Sequence, residues 1–164
     1  MNIFFVDREP HIAAQMLCNA HVRSQIKESL QILSTAHYLQ GEHTEEMLPV
    51  THKHHPSVKW VAESASNYMW LYQHVVALCT EYKFRHGVSN RYEPMLSTYM
   101  VAPEDIDHYS RISCPPAVVA PDLKPNPEIW LHVIEAYRTY YNRDKRHLHY
   151  WMVRLKPDWI TDAP

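Results

Sequence analysis

Glycine is almost missing from this chain, 2 residues of 164. Tight hairpins draw on glycine for positive φ, so a fold built from hairpin-linked strands is excluded and a mainly α one is expected. Cysteine is scarce too. Cys18, Cys79 and Cys114 are odd in number and far apart in the sequence, which excludes a disulfide framework and leaves them as reduced small hydrophobes in a chain expected to be cytoplasmic. No apolar run approaches a membrane span, and the opening MNIFFVDREP lacks both the basic start and the apolar length of a signal peptide. No excess of positive charge is present either. The formal net charge is -2, so the chain has no global preference for nucleic acid, and any such site must be a local patch. Also absent are a nucleophile elbow, a P-loop, a dinucleotide fingerprint and a kinase signature, which disfavours the common acyl and phosphoryl chemistries.

What is present is helical periodicity. A chain of 164 residues suits one domain, 1–164, and the pattern predicts a helical bundle with a short extended N-terminal segment and long proline-rich connections. Asn2 to Val6, NIFFV, is apolar but has no strand partner in view. It is expected to lie extended against the helices and to end at Asp7, a candidate helix cap. Pro10 to His37 then reads as one long amphipathic helix. Its buried stripe is Ile12, Met16, Leu17, Val22, Ile26, Leu30 and Leu33.

The same spacing gives that helix a polar stripe of His21, Ser24 or Gln25, Glu28, Gln31 and Thr35, with Arg23 and Lys27 one turn apart beside it. Such a stripe either faces solvent or presents its groups together to a ligand. A second long helix is predicted from Ser66 to a C-cap at Gly87. It has its own polar line of Asn67, His74, Glu81 and Arg85, where Glu81 and Arg85 can form an ordinary i, i+4 surface pair.

Six prolines mark a connection over 88–126, in which PEDIDHYS from Pro103 is a candidate short helix. Asn126-Pro127-Glu128 reads as the start of a last helix carrying Arg138 and Tyr141.

Several chemistries are open to these residues. His43, His52, His54 and His55 cluster in a loop but lack a Cys pair, an H-E-x-x-H or an i, i+4 pair of imidazoles, so no metal and no cofactor is expected. The C-terminal stretch YRTYYNRDKRHLHYW interleaves rings with cations, which suits a nucleotide or an opened strand as well as a core rim. Near Glu28 an α-amine of ordinary pKa, about 7.7 to 8.0, could attack an aldehyde-like carbon and form a Schiff base, with the carboxylate moving protons.

The run NIFFVDREPHIAAQ, the cationic and acidic helix after it, HPSVKW, NYMWLYQHVVALCTEYKFRHG and the closing KPDWI together resemble the small all-α pyrimidine-dimer DNA glycosylases of phages and bacteria. The opening also resembles tailed-phage proteins whose first helix bears a histidine, a glutamate and a glutamine. The resemblance covers most of the chain as architecture and few residues as motif.

It implies a DNA- or nucleotide-acting enzyme that cleaves an N-glycosidic bond, with Glu28 as the acid or base. The family's neighbouring arginine maps to Lys27, or to Arg23 in an alignment shifted by one turn that would place Ser24 at the acid position. The attacking amine would be that of Met1. The family uses a small residue exposed after methionine removal, whereas Met1-Asn2 is expected to keep its methionine. Arg23, Lys27, Arg85 and Arg138 are then candidates for phosphate, and His21 and Gln31 for base or sugar, with Asn67, His74 and Tyr141 as further substrate contacts. The rival from another class is a non-catalytic protein that binds a nucleotide or blocks a host protein, and for either class a homodimer or a host protein partner is open. A histidine-bound metal hydrolase is a third possibility.

Overall fold

The N-terminal segment lies at the centre of the molecule. In the computed structural model, which describes residues 2–161, Ile3, Phe4, Phe5 and Val6 are buried with no strand beside them, and the Val6 N–H donates to the Phe4 carbonyl at 2.9 Å in a tight local turn. Phe5 sits among Trp60, Trp70 and Trp130, with ring centroids 5.2, 4.8 and 6.0 Å away. Large rings at these spacings bury much apolar area, which compensates the segment for having no sheet to join.

Five α-helices surround it among the described residues: α1 Pro10–Met16, α2 Asn19–Leu39, α3 Pro56–Val61, α4 Ala65–His86 and α5 Trp130–Asp144. Three 3-10 helices, Glu93–Tyr99, Pro121–Leu123 and Arg146–Leu148, lie in the connections. Helices α1 and α2 both pack on α4. No helix is long and apolar enough to cross a membrane among those residues.

Helix α4 runs close to its predicted limits. Ser64 accepts the Asn67 N–H at its start, and Gly87 ends it at φ 70, a left-handed C-cap that glycine adopts without strain.

The predicted helix over 10–37 is in fact two, broken at Leu17–Cys18. A break strands carbonyls on one side and N–H groups on the other, and distant residues satisfy both sets. Arg85 donates to the carbonyls of Gln15 and Leu17, both at 2.9 Å, and the Trp151 indole donates to Met16 at 3.0 Å. The Cys18 N–H donates to the Tyr141 hydroxyl and the Asn19 N–H to the Tyr150 carbonyl, each at 2.9 Å. With these five groups paired, the break costs far less than it would with them stranded.

Other boundaries also move. Asp7 accepts the Glu9 N–H in a local turn, and the cap position itself is Glu9. PEDIDHYS forms turns because the Asp107 carboxylate collects the N–H groups of Tyr109 and Ser110, while its carbonyl receives the Ala65 N–H. Helix α5 begins at Trp130, after an extended Ile129 and a cis Asn126–Pro127 bond.

Burial holds His74 down to about 4, and burial followed by the Lys145, His149 and His147 charges does the same for His21. The unfolded chain therefore takes up protons first, and stability present above pH 6.5 is lost as pH falls from 6.5 toward 4. Each imidazole contributes on the order of 3 kcal/mol to that loss. His37, His55 and His149 are lowered as well and act in the same direction. The urea midpoint is expected to fall steadily over this window, and a flat profile would contradict the burial of neutral histidines.

Candidate active site

Helix α2 turns His21, Gln25 and Glu28 toward the start of the chain. The Asn2 backbone N–H donates to Glu28 Oε2 at 3.2 Å, and the Gln25 amide donates to the same oxygen at 3.0 Å. Asn2 is itself fixed by its side chain. Its Nδ2 donates to the Val118 carbonyl at 2.9 Å, and its Oδ1 receives the Tyr137 hydroxyl at 3.1 Å. The second residue of the chain is thus pinned between α2, α5 and the proline-rich connection, with a carboxylate against its backbone.

A cavity of about 670 Å³ opens there, its walls formed by Asn2, Phe4, His21, Gln25 and Glu28 on one side and by Val118–Ala120, Tyr140, Asp144 and Lys145 on the other. The Lys145 ammonium lies 5.2 Å from the centroid of the Tyr140 ring. A second hollow of about 630 Å³ lies across the same ridge of α2 and is lined by Arg23, Lys27, Gln31, Tyr82, Arg91 and Tyr92 among others. Ser24 and Glu28 border both. The two hollows differ in charge, since the first pairs two acids with one lysine and the second gathers three cations around Glu28. Each has the volume of a site for a small organic ligand.

His21 and Glu28 meet in the first cavity, and Arg23, Lys27, Glu28 and Gln31 meet in the second. Tyr141 stands behind the first cavity wall, buried, with its hydroxyl 2.7 Å from His21 Nδ1. Met1 lies outside the described residues.

The other four candidates are occupied elsewhere. Arg85 is 4% exposed, and besides the two carbonyls at the α1–α2 break it bonds Glu81 and Asn19. Arg138 donates to the Val6 carbonyl at 2.9 Å, approaches Asp7 at 3.6 Å and lies over Trp159. It clamps the N-terminal segment to α5 and lines neither hollow. Asn67 is buried and exchanges bonds with Ser113, its Oδ1 accepting the N–H at 3.0 Å and its Nδ2 donating to the hydroxyl at 2.9 Å. His74 is buried on the Pro10 carbonyl at 2.8 Å. In place of the phosphate and substrate contacts expected of them, these four residues hold segments of the fold together. The reason is the same for each. The polar line of α4 and the cation of α5 face other parts of the chain, and periodicity reveals a face without revealing what covers it.

Asn2 and Phe4, in the apolar opening run, and Arg91 with Tyr92, in the connection, line the hollows without a signal in the sequence. Tyr140 and Lys145 had a signal, since both belong to the ring-and-cation stretch YRTYYNRDKRHLHYW. His55 of the loop cluster caps α3, its Nδ1 accepting the Ser57 N–H at 3.2 Å.

The chain is mainly helical among its described residues, and its second residue rests on a carboxylate of α2. It belongs to the pyrimidine dimer DNA glycosylase family, whose model matches residues 1–93, more than half of the chain. No curated protein and no solved structure matches it.

Proposed function

We propose that this chain cleaves the N-glycosidic bond of a damaged pyrimidine in DNA, with Glu28 as acid and base and the α-amine of Met1 as the attacking group. The observation that supports the reading most is the Asn2 N–H on Glu28 Oε2, which brings the residue next to that amine against the carboxylate. The amine lone pair bonds to C1′ as the C1′–N bond breaks and its electron pair leaves with the base. Glu28 accepts the proton that the amine sheds and returns one to the sugar oxygen as the ring opens to an iminium.

The first cavity takes the sugar and an extruded base, with His21 on its wall. Extrusion is the general route by which enzymes reach a base held in a duplex. Arg23 and Lys27, with Arg91, meet phosphates along the second hollow.

Borohydride trapping on UV-irradiated duplex DNA tests the covalent step, because reduction of the iminium leaves a stable protein–DNA adduct. A band with irradiated and not with intact DNA is the expected result. Base release without a band would remove the amine from the mechanism. Neither release nor a band on irradiated, abasic or otherwise damaged DNA would favour the non-catalytic binder.

Arg23→Ala and Lys27→Ala should each weaken DNA binding and lower the slope of log K against log salt by about 1. An unchanged slope in both variants would place the second hollow off the DNA path.

A further inference from the structure

Tyr141 belongs to the part of the chain beyond residues 1–93, and the hydrogen bonds of its hydroxyl fix the protonation of its neighbour. The Cys18 N–H donates to the Tyr141 oxygen at 2.9 Å, so there the oxygen accepts. Its one hydrogen must point elsewhere, and the nearest acceptor is His21 Nδ1 at 2.7 Å, while the Cys18 sulfur lies 3.6 Å from that same nitrogen. A ring nitrogen is a far better acceptor than a thiol sulfur. With Nδ1 accepting, the proton of a neutral imidazole sits on Nε2.

The ring has little freedom to flip. It stacks on Phe4 at 4.3 Å between centroids and meets Tyr141 edge-on at 5.1 Å. His21 lines the first cavity, and its Nε2 has no hydrogen-bond partner among the described residues and is not fully buried.

We infer that Tyr141 is a positioning residue that locks His21 in its Nε2–H form, so that His21 offers the cavity a neutral hydrogen-bond donor for an oxygen of the bound nucleoside. The inference rests on the proposed use of that cavity as the nucleoside site. The imidazole then orients its ligand as a fixed donor and takes no part in exchanging the reaction's protons, which leaves proton transfer to Glu28. Burial of the ring supports this, since it keeps the imidazole uncharged at neutral pH.

Two-bond proton–nitrogen correlation spectra of the full chain labelled with 15N-histidine, recorded without DNA at pH 7, read the tautomer directly. The His21 signals are assigned by their loss in His21→Gln. The expected result is a protonated Nε2 and a bare Nδ1 in the wild type, shifting toward the Nδ1–H form in Tyr141→Phe while the His74 signals stay in place as a sign of intact folding. A protonated Nδ1 in the wild type, or an unchanged His21 pattern in folded Tyr141→Phe, overturns the inference. The wild-type spectrum decides even if the variant does not fold.

On damaged DNA, Tyr141→Phe should slow base release about tenfold in the wild-type background, the scale of one lost aligned hydrogen bond, and not at all in His21→Gln. Equal slowing in both backgrounds overturns the link between the two residues. Absence of base release in every protein would instead count against the proposed function and leave the spectroscopic result standing.

Discussion

Glu28→Gln is expected to lower the rate of base release by about 10²- to 10⁴-fold, the usual range for loss of a positioned acid–base group, while leaving the fold and DNA binding intact. The substitution is nearly isosteric. An amide oxygen in place of Oε2 can still accept the Asn2 N–H and the Gln25 amide, so the N-terminal segment keeps its place. What the amide lacks is the ability to take a proton from an attacking amine and give it back. Removal of a negative charge from the border of a hollow that holds Arg23, Lys27 and Arg91 should not weaken phosphate binding and is expected to strengthen it slightly. Single-turnover release from an irradiated oligonucleotide, with the thermal midpoint measured alongside, separates chemistry from folding. Release within twofold of wild type would remove Glu28 from the mechanism.

Arg85→Ala should have the largest effect on stability, about 3–5 kcal/mol, as expected when one partner of a buried ion pair is deleted. Four acceptors lose the Arg85 donor at once: the carbonyls of Gln15 and Leu17, the Glu81 carboxylate, which keeps Arg154, and the Asn19 amide oxygen, which keeps the Met152 N–H. Burial pushes the Glu81 carboxyl up, yet the bonds from Arg154 and Arg85 outweigh it and hold it below the usual range. In the variant only Arg154 remains to oppose burial, at the partly exposed edge of the cluster. Arg85→Lys should not restore the loss, because a single ammonium cannot reproduce the planar fork that spans Glu81 and the α1–α2 break. Small domains are stable by only about 5–15 kcal/mol, so urea unfolding should show a large share of that gone. A loss below about 1 kcal/mol would mean that the break holds without its guanidinium.

The parts of this structure legible in the sequence are those fixed by local chemistry. NIFFV is apolar after Asn2 and shows no alternation, and its four apolar residues are buried. Gly87 ends α4 because it alone there tolerates φ 70 without strain. His21 and Glu28, seven residues apart on one helix, are two turns apart on one face and share a cavity.

The illegible parts depend on distant partners. Nothing within Pro10–His37 announces a break, because the groups that make Leu17–Cys18 a comfortable place to stop come from residues 85, 141, 150 and 151. For the same reason Asn67 and Arg85 were expected to bind substrate and prove to hold backbone. A buried polar residue and a ligand-binding one look alike until the neighbour that satisfies it is known.

That dependence bears on how the family's chemistry is housed here. A polypeptide ending at residue 93 would retain everything the family model matches, yet it would have no Val118 carbonyl for Asn2, no hydroxyl at 141 for Cys18 and no indole for Met16. The groups proposed to react sit within residues 1–93, and the remainder of the chain is the vice that holds Asn2 and the α1–α2 break in place.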